Sequence, residues 1–388
     1  MKLDFYNCPS PSEINPSSLP EPPLFLSYAP DSDLMESLSR EYAQYRNILI
    51  VGHGGSINPA YGLYFALKNR AKKQIYFLNT TDPDYIYELK QALSPENTVV
   101  LATSKSGETV TQIEALSQFM QYPLICVTGK SSPLRAMAEK LRAKIILHPP
   151  IGGRYTGLTE VNLLPLALAG IDAEKLVKGA KDLFRQYDKN NLAWEAASVF
   201  FQLEEKGVMD VFMPVYSHSL FPFSALIVQL CHESFGKNGK GQTYFAHEAP
   251  ESQHHTNQRF FGGRKNIAGF FISAEAFNHQ TDVLYPALIH TVQIKKHEIA
   301  DIDKIPLAKT MEFEMQGTLE DARINGIPVA HLTLSSFTEE EIGAVTAFWQ
   351  LYAVYASVLR GVDPFDQPQV ESSKKISFNK RLLFKGLE

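Results

Sequence analysis

The sequence is poor in cysteine and in tryptophan, and it has no strong excess of charge of either sign. Its 388 residues include three cysteines and two tryptophans. Cys8, Cys126 and Cys231 are far apart and form no C-x-x-C pair. This excludes a disulfide-dense protein and is typical of a reducing compartment, so we expect a cytoplasmic protein.

Charge excludes two further classes of protein. The 37 Lys and Arg residues against 42 Asp and Glu residues give a net charge of −5. No long run of like charge interrupts this balance, which argues against nucleic acid or an anionic membrane as the main partner. The expected partner is a small molecule.

Neither a signal peptide nor a membrane span is expected. The chain begins with Lys2 and Asp4 and then carries six prolines between residues 9 and 23, which predicts an irregular arm over residues 1–30. The uncharged stretch 211–231 contains two prolines and several serines, so it is interpreted as strand, turn and helix.

The length and the apolar fraction of 44% support two domains with full-sized cores. In the first, residues 31–172, short β-branched or aromatic runs alternate with helical patterns, which predicts a doubly wound parallel sheet. The predicted strands are 47–51, 74–78, 98–103, 123–128 and 144–147. Asp82-Pro83 and Ser132-Pro133 predict helix starts between them.

The second domain, residues 173–388, is predicted to be similar in architecture. It opens with a helical stretch over 173–205 and has predicted strands at 208–214, 266–273 and 329–334. Thr338 and Glu341 have the spacing of a capping box before a long apolar helix that runs towards Arg360. Residues 294–327 have no clear period.

Turns rich in glycine and hydroxyl groups follow several predicted strands, at the sheet edge where open α/β sheets bind ligands. The first is Gly52-His53-Gly54-Gly55-Ser56, which is equally consistent with a tight turn and with a ligand loop. Ile57 stands where G-x-G-x-x-G requires its third glycine, so a dinucleotide site is not predicted.

The second turn, residues 104–109, predicts a phosphate site. Ser104, Ser106, Thr109 and Thr111 place four hydroxyls at the start of a predicted helix, where unpaired N–H groups bind anions. A helix cap is the alternative, but a cap needs only one hydroxyl. The count therefore favours a monophosphate.

Two further segments carry charged candidates. Gly152-Gly153-Arg154 adds a permanently charged guanidinium that can stabilise an oxyanion, although Gly262-Gly263-Arg264 shows that this tripeptide alone is weakly specific. Glu233 lies at the end of an apolar helix, before a turn rich in glycine and lysine. Alone, it would be interpreted as a solvated helix end.

Together these segments resemble the phosphoglucose isomerase family of the sugar isomerase superfamily. The resemblance covers about residues 52–374 and depends on order and spacing as well as on single motifs. The matching segments are Gly54-Gly55-Ser56, residues 104–109, residues 152–155, Gln229-x-x-x-Glu233-Ser234, Gln253-His254 and Phe365-Asp366-Gln367 with Lys374 seven residues later. The chain is shorter than most relatives, and PESQHHTNQ is an unusual form of the histidine motif.

The resemblance implies a fold of two doubly wound, flavodoxin-like parallel-sheet sugar isomerase domains with helices on both faces. It also implies roles for individual residues. Ser104, Lys105, Ser106 and Thr109 would hold phosphate; Ser56, Gly153, Gln229 and Gln367 would line the sugar site; Glu233, His254, Lys374 and Arg154 would be catalytic. His255 competes with His254, which is preferred because Gln258 then matches a glutamine four residues downstream.

The implied reaction interconverts glucose 6-phosphate and fructose 6-phosphate. His254 and Lys374 would open the sugar ring, Glu233 would carry a proton from C2 to C1, and Arg154 would stabilise the enediolate intermediate. No metal or other cofactor is required. The resemblance also implies a homodimer in which the neighbouring subunit donates the catalytic histidine.

Three alternatives remain open. The protein could be a member that isomerises mannose 6-phosphate as well. It could also be a non-catalytic sugar-phosphate sensor, which would need only the phosphate loop. A metal site could be built from His247, His254 and His255, but the spacing is not that of H-E-x-x-H. Glu233, His254 and Lys374 together favour an enzyme without a metal.

Overall fold

The computed structural model describes residues 1–387. The strands are β1 Lys2–Tyr6, β2 Asn47–Val51, β3 Gln74–Leu78, β4 Thr98–Ser104, β5 Leu124–Thr128, β6 Lys144–Leu147, β7 Asp210–Val215, β8 Thr243–Glu248, β9 Ile267–Ala274, β10 Gln293–Ile294, β11 His297–Glu298 and β12 Val329–Leu334. The α-helices are α1 Ser32–Glu41, α2 Asn58–Ala66, α3 Pro83–Ala92, α4 Val110–Leu116, α5 Pro133–Lys140, α6 Glu160–Leu168, α7 Ala173–Phe184, α8 Leu192–Glu205, α9 Ser224–Phe235, α10 Thr256–Gly262, α11 Leu307–Ile324, α12 Glu339–Arg360 and α13 Glu371–Phe384.

The first sheet has the order β3-β2-β4-β5-β6, and all its strands are parallel. This is the flavodoxin-like order 2-1-3-4-5. The central strands β2 and β4 are covered on both faces, which explains their unbroken apolar sequences. The predicted doubly wound parallel sheet is confirmed, with strand bounds that differ by one residue at β4 and β5.

The predicted helix starts are also confirmed. Asp82 Oδ1 accepts a hydrogen bond of 2.9 Å from the N–H of Asp84 at the start of α3. Ser132 Oγ accepts one of 3.1 Å from the N–H of Arg135 in α5. Each cap stands directly before a first-turn proline, which has no N–H to satisfy.

The second sheet has the same strand order as the first, except that a different kind of strand occupies the fifth position. Its order is β1-β12-β9-β7-β8, so the strands β7, β8, β9 and β12 again follow the order 2-1-3-4 and are parallel. The fifth position is occupied by β1, which runs antiparallel to β12 with Lys2 opposite Thr333. The predicted α/β class of both domains is therefore confirmed.

Three segments differ from the sequence-based expectation. The arm is expected to be irregular throughout, but residues 2–6 form β1 because the open edge of β12 supplies hydrogen-bond partners. The strand β8, with mixed polarity, is absent from the prediction. The segment without a clear period, 294–327, contains most of the small β10–β11 hairpin and the helix α11.

The capping box before α12 is only half formed. Thr338 Oγ1 accepts from the N–H of Glu341 at 3.2 Å as expected, but the Glu341 carboxylate instead pairs with the amino group of Met1 at 2.6 Å. The 22-residue helix is long and apolar enough to cross a membrane by length and composition, and 83% of its apolar window is buried inside the protein. It packs against α7 and α8 as the central helix of the second domain.

Candidate active site

Arg154 joins the two domains. It follows the first sheet, its side chain is 3% exposed, and its Nε donates to Ser234 Oγ at 2.9 Å. Its Nη1 donates both to Glu233 Oε2 at 3.2 Å and to Gln367 Oε1 at 2.7 Å. The structure thus brings together three of the predicted site residues from separate parts of the chain.

The loop that carries Gln367 is held by two buried cations. Arg154 Nη2 donates to the carbonyl oxygens of Pro364 at 2.5 Å and Asp366 at 3.1 Å. Lys237 Nζ donates to the Asp366 carbonyl at 2.7 Å and also contacts the Asp366 carboxylate. All five N–H groups of Arg154 are therefore engaged, and its orientation is fixed.

Glu233 is the carboxylate that contacts Arg154, and 30% of its side chain is exposed. It lies on α9 four residues after Gln229, so that both side chains project from the same face of the helix. Gln229 Nε2 donates to Glu233 Oε1 at 3.2 Å, and Asn58 Nδ2 donates to Gln229 Oε1 at 3.0 Å. Each carboxylate oxygen of Glu233 thus has a donor.

Glycine is required where the first and third turns meet. A Cβ on Gly55 would lie 2.0 Å from the carbonyl carbon of Gly153, and one on Gly54 would lie 2.8 Å from Gln229 Nε2. Gly54 also has a positive φ of 54°. The half-buried Ser56, two residues after Gly54, has a hydroxyl without a hydrogen-bond partner among residues 1–387.

The predicted phosphate loop joins β4 to α4. The hydroxyl of the buried Ser104 accepts from the N–H of Gly107 at 3.0 Å, and Ser106 Oγ accepts from the N–H of Glu108 at 3.3 Å. Thr109 is the N-cap of α4, yet its side chain makes no capping hydrogen bond. A capping role therefore does not account for this hydroxyl.

Lys105 is exposed next to Ser104, and no carboxylate among the described residues pairs with it. His53 links the first and second turns, because its Nε2 lies 3.0 Å from Thr111 Oγ1. Burial lowers the pKa of His53. The turns predicted separately from sequence are therefore neighbours in the fold.

Lys374 lies on α13, a helix without buried residues. Its Nζ is 2.8 Å from Glu371 Oε1 on the same helix. The helix is bound to α4 by Arg381, whose Nε and Nη2 contact the two carboxylate oxygens of Glu114 at 2.5 and 2.6 Å. Lys374 is thereby carried on a helix docked to the one that follows the phosphate loop.

His254 is not part of the Arg154 cluster. It ends a short 3₁₀ helix and is exposed, and within residues 1–387 its ring has no hydrogen bond or ion pair. The ring of the exposed His255 packs at 5.0 Å from that of His247. Nowhere in residues 1–387 are three His, Cys, Asp or Glu side chains grouped so that they could hold a metal ion.

Sequence reasoning missed the supporting residues of the site. Asn58, Ser234 and Lys237 were assigned no role, although Ser234 belongs to the Gln-x-x-x-Glu-Ser motif and Lys237 follows Glu233 in the segment ESFGK. Ser234 also contacts the hydroxyl of Tyr155 at 2.9 Å. The glycine-rich turn around Lys237 was the available signal in the sequence, but neither the burial of this lysine nor its partner Asp366 could be identified there.

Residues 39–382 of the chain match the family described as Phosphoglucose isomerase. The probable glucose-6-phosphate isomerase of Methanococcus maripaludis is 26% identical over 361 residues, which cover 87% of this chain and 79% of that protein. The glucose-6-phosphate isomerase of Carboxydothermus hydrogenoformans is 26% identical over 393 residues, covering 91% and 83%.

Two solved structures are similar throughout. A Thermus thermophilus protein described as hypothetical has a TM-score of 0.81 and 26% identity over 90% of this chain and 87% of its own. A glucose-6-phosphate isomerase from Chlamydia trachomatis has a TM-score of 0.78 and 20% identity over 91% and 74%, which supports the fold. With the family match extending from residue 39 to residue 382, across both sheets and the Arg154 cluster, the chain belongs to the phosphoglucose isomerase family.

Proposed function

We propose that this protein is an aldose–ketose isomerase that interconverts glucose 6-phosphate and fructose 6-phosphate, with Glu233 as the base. Family membership and the curated relatives named glucose-6-phosphate isomerase support the reaction. The observation that carries the role of Glu233 is its position as a partly exposed carboxylate between Arg154 and Gln229. A sensor that only binds sugar phosphate would not need this arrangement.

The phosphate group would bind at Ser104, Ser106 and Thr109, with Lys105 beside them. Charged phosphate oxygens make strong hydrogen bonds with hydroxyl and backbone donors. Binding energy at this remote group positions the sugar carbons for reaction. Ser56 and Gly153 would line the sugar, as the resemblance implies.

Proton transfer would then fall to Glu233. Its carboxylate removes the proton from C2 and returns it to C1, while a hydroxyl proton passes from O2 to O1, and the carbonyl thereby moves from C1 to C2 through an enediolate. Arg154 supplies a positive charge in a fixed position close to the carboxylate, which stabilises the negative oxygen electrostatically. Direct contact with that oxygen requires Nη1 to exchange one of its two acceptors, Glu233 or Gln367.

Ring opening would need His254 and Lys374. The exposed position of His254, outside the Arg154 cluster, supports a homodimer in which His254 of one chain completes the site of the other. No metal or other cofactor enters these steps. The three cysteines are free, which supports a cytoplasmic location.

The direct test is a coupled assay of the purified protein with fructose 6-phosphate, before and after exhaustive chelation. We expect Glu233→Gln to lower kcat by about 10²–10⁴-fold, because the amide keeps the shape of the side chain but cannot accept the proton. Sugar-phosphate affinity should change little. Glu205→Gln, an exposed carboxylate at the end of α8, is the matched control.

Turnover of Glu233→Gln within tenfold of wild type would overturn the assignment of the base. If chelation abolished the activity and a divalent ion restored it, the result would support the alternative metal site built from the histidines. Mannose 6-phosphate assayed in parallel measures whether the protein also accepts the C2 epimer.

The dimer has its own test, in which inactive Glu233→Gln and His254→Ala chains are mixed under conditions that allow subunit exchange. Random pairing makes half of the dimers mixed, and each mixed dimer has one intact site. Up to about a quarter of the wild-type sites should return if sites are shared across a two-fold axis. No recovery, with exchange confirmed, means that each site is built within one chain.

A further inference from the structure

One face of the second sheet carries a polar, partly buried floor beneath α11. Asp4 of β1 is paired opposite His331 of β12, so the two side chains share a face. His331 Nε2 lies 2.7 Å from Ser273 Oγ and 3.2 Å from Thr333 Oγ1. Ser273 is 7% exposed and His331 6%. Buried polar groups are costly, so such a floor is unusual beneath a packed helix.

A cavity of about 470 Å³ lies between this floor and α11. Asp4, Ser273, His331 and Thr333 line it together with side chains from α11. The volume falls within the range of small-molecule sites. No residue among 1–387 hydrogen-bonds Nδ1 of His331, which leaves a polar atom of a buried side chain unpartnered beside the cavity.

The cavity is placed where the fold favours a ligand. It extends from the face of β1 and β12 to the carboxyl end of β9, the third strand of the second sheet, and so reaches the edge at which open α/β sheets bind ligands. In the first sheet the third strand is β4, and the proposed phosphate loop follows it. The two domains therefore present different chemistry at equivalent positions.

The charge of the cavity disfavours a phosphate. Its lining includes the cations Lys2 and Lys309 and the carboxylates of Asp4, Glu275 and Glu312. Lys2 pairs with Asp4 at 2.8 Å, and Lys309 pairs with Glu312 at 2.6 Å. Glu275 has no ion pair within the described chain, so an anion entering the cavity would meet a net negative charge.

The remaining groups suit hydroxyl groups instead. Burial lowers the pKa of His331 to about 4, which leaves its imidazole neutral near pH 7, able to donate at one nitrogen and accept at the other. Carboxylates accept hydrogen bonds from hydroxyls. Tyr6, Tyr216 and Phe277 also line the cavity and provide apolar faces for the carbon skeleton of a ligand.

We propose that this cavity binds an uncharged, hydroxyl-rich molecule of about monosaccharide size, a free sugar or a sugar alcohol, at a site separate from Glu233. The cavity does not contain any of the residues assigned to isomerisation. Binding there and isomerase activity are therefore separable by experiment.

The test is calorimetric titration of the full-length protein with glucose, fructose and sorbitol. The buffer contains equilibrated glucose 6-phosphate and fructose 6-phosphate, so that the isomerase site is already occupied. At least one probe should bind saturably with a Kd of about 10 mM or tighter. Glu275→Gln combined with Thr333→Val should weaken that binding at least tenfold and leave kcat/KM for fructose 6-phosphate within twofold of wild type.

Glu320→Gln combined with Thr310→Val, on parts of α11 that do not line the cavity, is the matched control and should leave binding unchanged. Absence of saturable binding by every probe would overturn the proposal, as would binding that the cavity variant leaves intact. If the double variant does not fold, Glu275→Gln alone carries the comparison. Failure of the isomerase assay with binding intact would instead count against the proposed function.

Discussion

The two domains share a strand order but use it differently. In each sheet the strands follow the order 2-1-3-4, and the fifth position is a parallel strand, β6, in the first domain but the antiparallel β1 in the second. After the third strand, the first domain turns through a short hydroxyl-rich loop into α4. The second domain instead runs through more than thirty residues, including the β10–β11 hairpin, before α11 begins at Leu307.

The helices after β2 and β7, two strands at equivalent positions in their sheets, also contribute different groups to the site. In the first domain, the turn before α2 carries glycines that allow a close approach, and in the second domain α9 carries Gln229 and Glu233. These two helices pack against each other. The shared topology brings the two strand ends together, while the side chains after each strand decide their chemistry.

The largest expected effect comes from the residue that connects the domains. Arg154→Lys cannot satisfy the five acceptors that the guanidinium reaches, and it releases the loop that carries Gln367. We expect kcat/KM to fall on the order of 10³-fold, the loss typical of a removed electrostatic group. Steady-state assays measure this fall, with Arg185→Lys, a change at an exposed arginine, as the control. A fall in kcat/KM of less than tenfold would mean that the two domains contribute to catalysis without depending on the contacts of Arg154.

A smaller loss is expected from the loop after the third strand of the first sheet. Ser104→Ala combined with Thr109→Ala removes two proposed hydrogen bonds to phosphate, each worth about 1.5–3 kcal/mol when one group is charged. KM for fructose 6-phosphate should rise at least 100-fold. Glu275→Gln, at the equivalent position of the second domain, should leave KM unchanged. Equal effects at both positions would contradict the assignment of phosphate to the first domain.

Each domain also contains a buried histidine that predicts acid sensitivity. Burial lowers the pKa of His148, after β6, and of His331, in β12, from 6.5 to about 4. The unfolded chain then binds more protons between pH 6.5 and 4, so the free energy of unfolding falls as the pH drops through this window and is fully retained above it. By pH 5 each histidine should cost about 2 kcal/mol.

Urea unfolding at pH 7 and pH 5 tests this expectation. His148→Gln and His331→Gln should each reduce the loss of stability between the two pH values, whereas His279→Gln, an exposed histidine, should not. If only one of the two variants lost less stability between pH 7 and pH 5 than wild type, the acid sensitivity would lie in a single domain.

The smallest effect is expected from the contact that docks the last helix on the first domain. Glu114 and Arg381 are partly exposed, at 40% and 32%, so their ion pair contributes only about 0.5–1 kcal/mol. Glu114→Arg should lower kcat about threefold through poorer placement of Lys374. Adding Arg381→Glu should restore activity, and the difference should shrink in high salt. An unchanged kcat in the single variant would separate this contact from catalysis.

The sequence predicted the first domain better than the second, for a physical reason. The strands β2 and β4 are covered on both faces and therefore have continuous apolar sequences, and α3 and α5 have local caps. Such signals are contained within a few residues. By contrast, β1 forms only because the edge of β12, more than three hundred residues away, accepts it. Glu341 likewise has the spacing of a capping box but pairs with the amino terminus.

The candidate site divides in the same way. The sequence by itself determined the class of both sheets, the positions of the turns after the strands, and the motifs in which Glu233, Gln229 and Gln367 occur. Only the tertiary structure decided that Arg154 contacts residues 79 and 213 positions away, and that Gly55 packs on Gly153. It also placed Lys237 beneath the final loop and left His254 apart from the cluster. Periodicity and caps record interactions between neighbours in the chain, whereas these contacts depend on how two separately folded sheets meet.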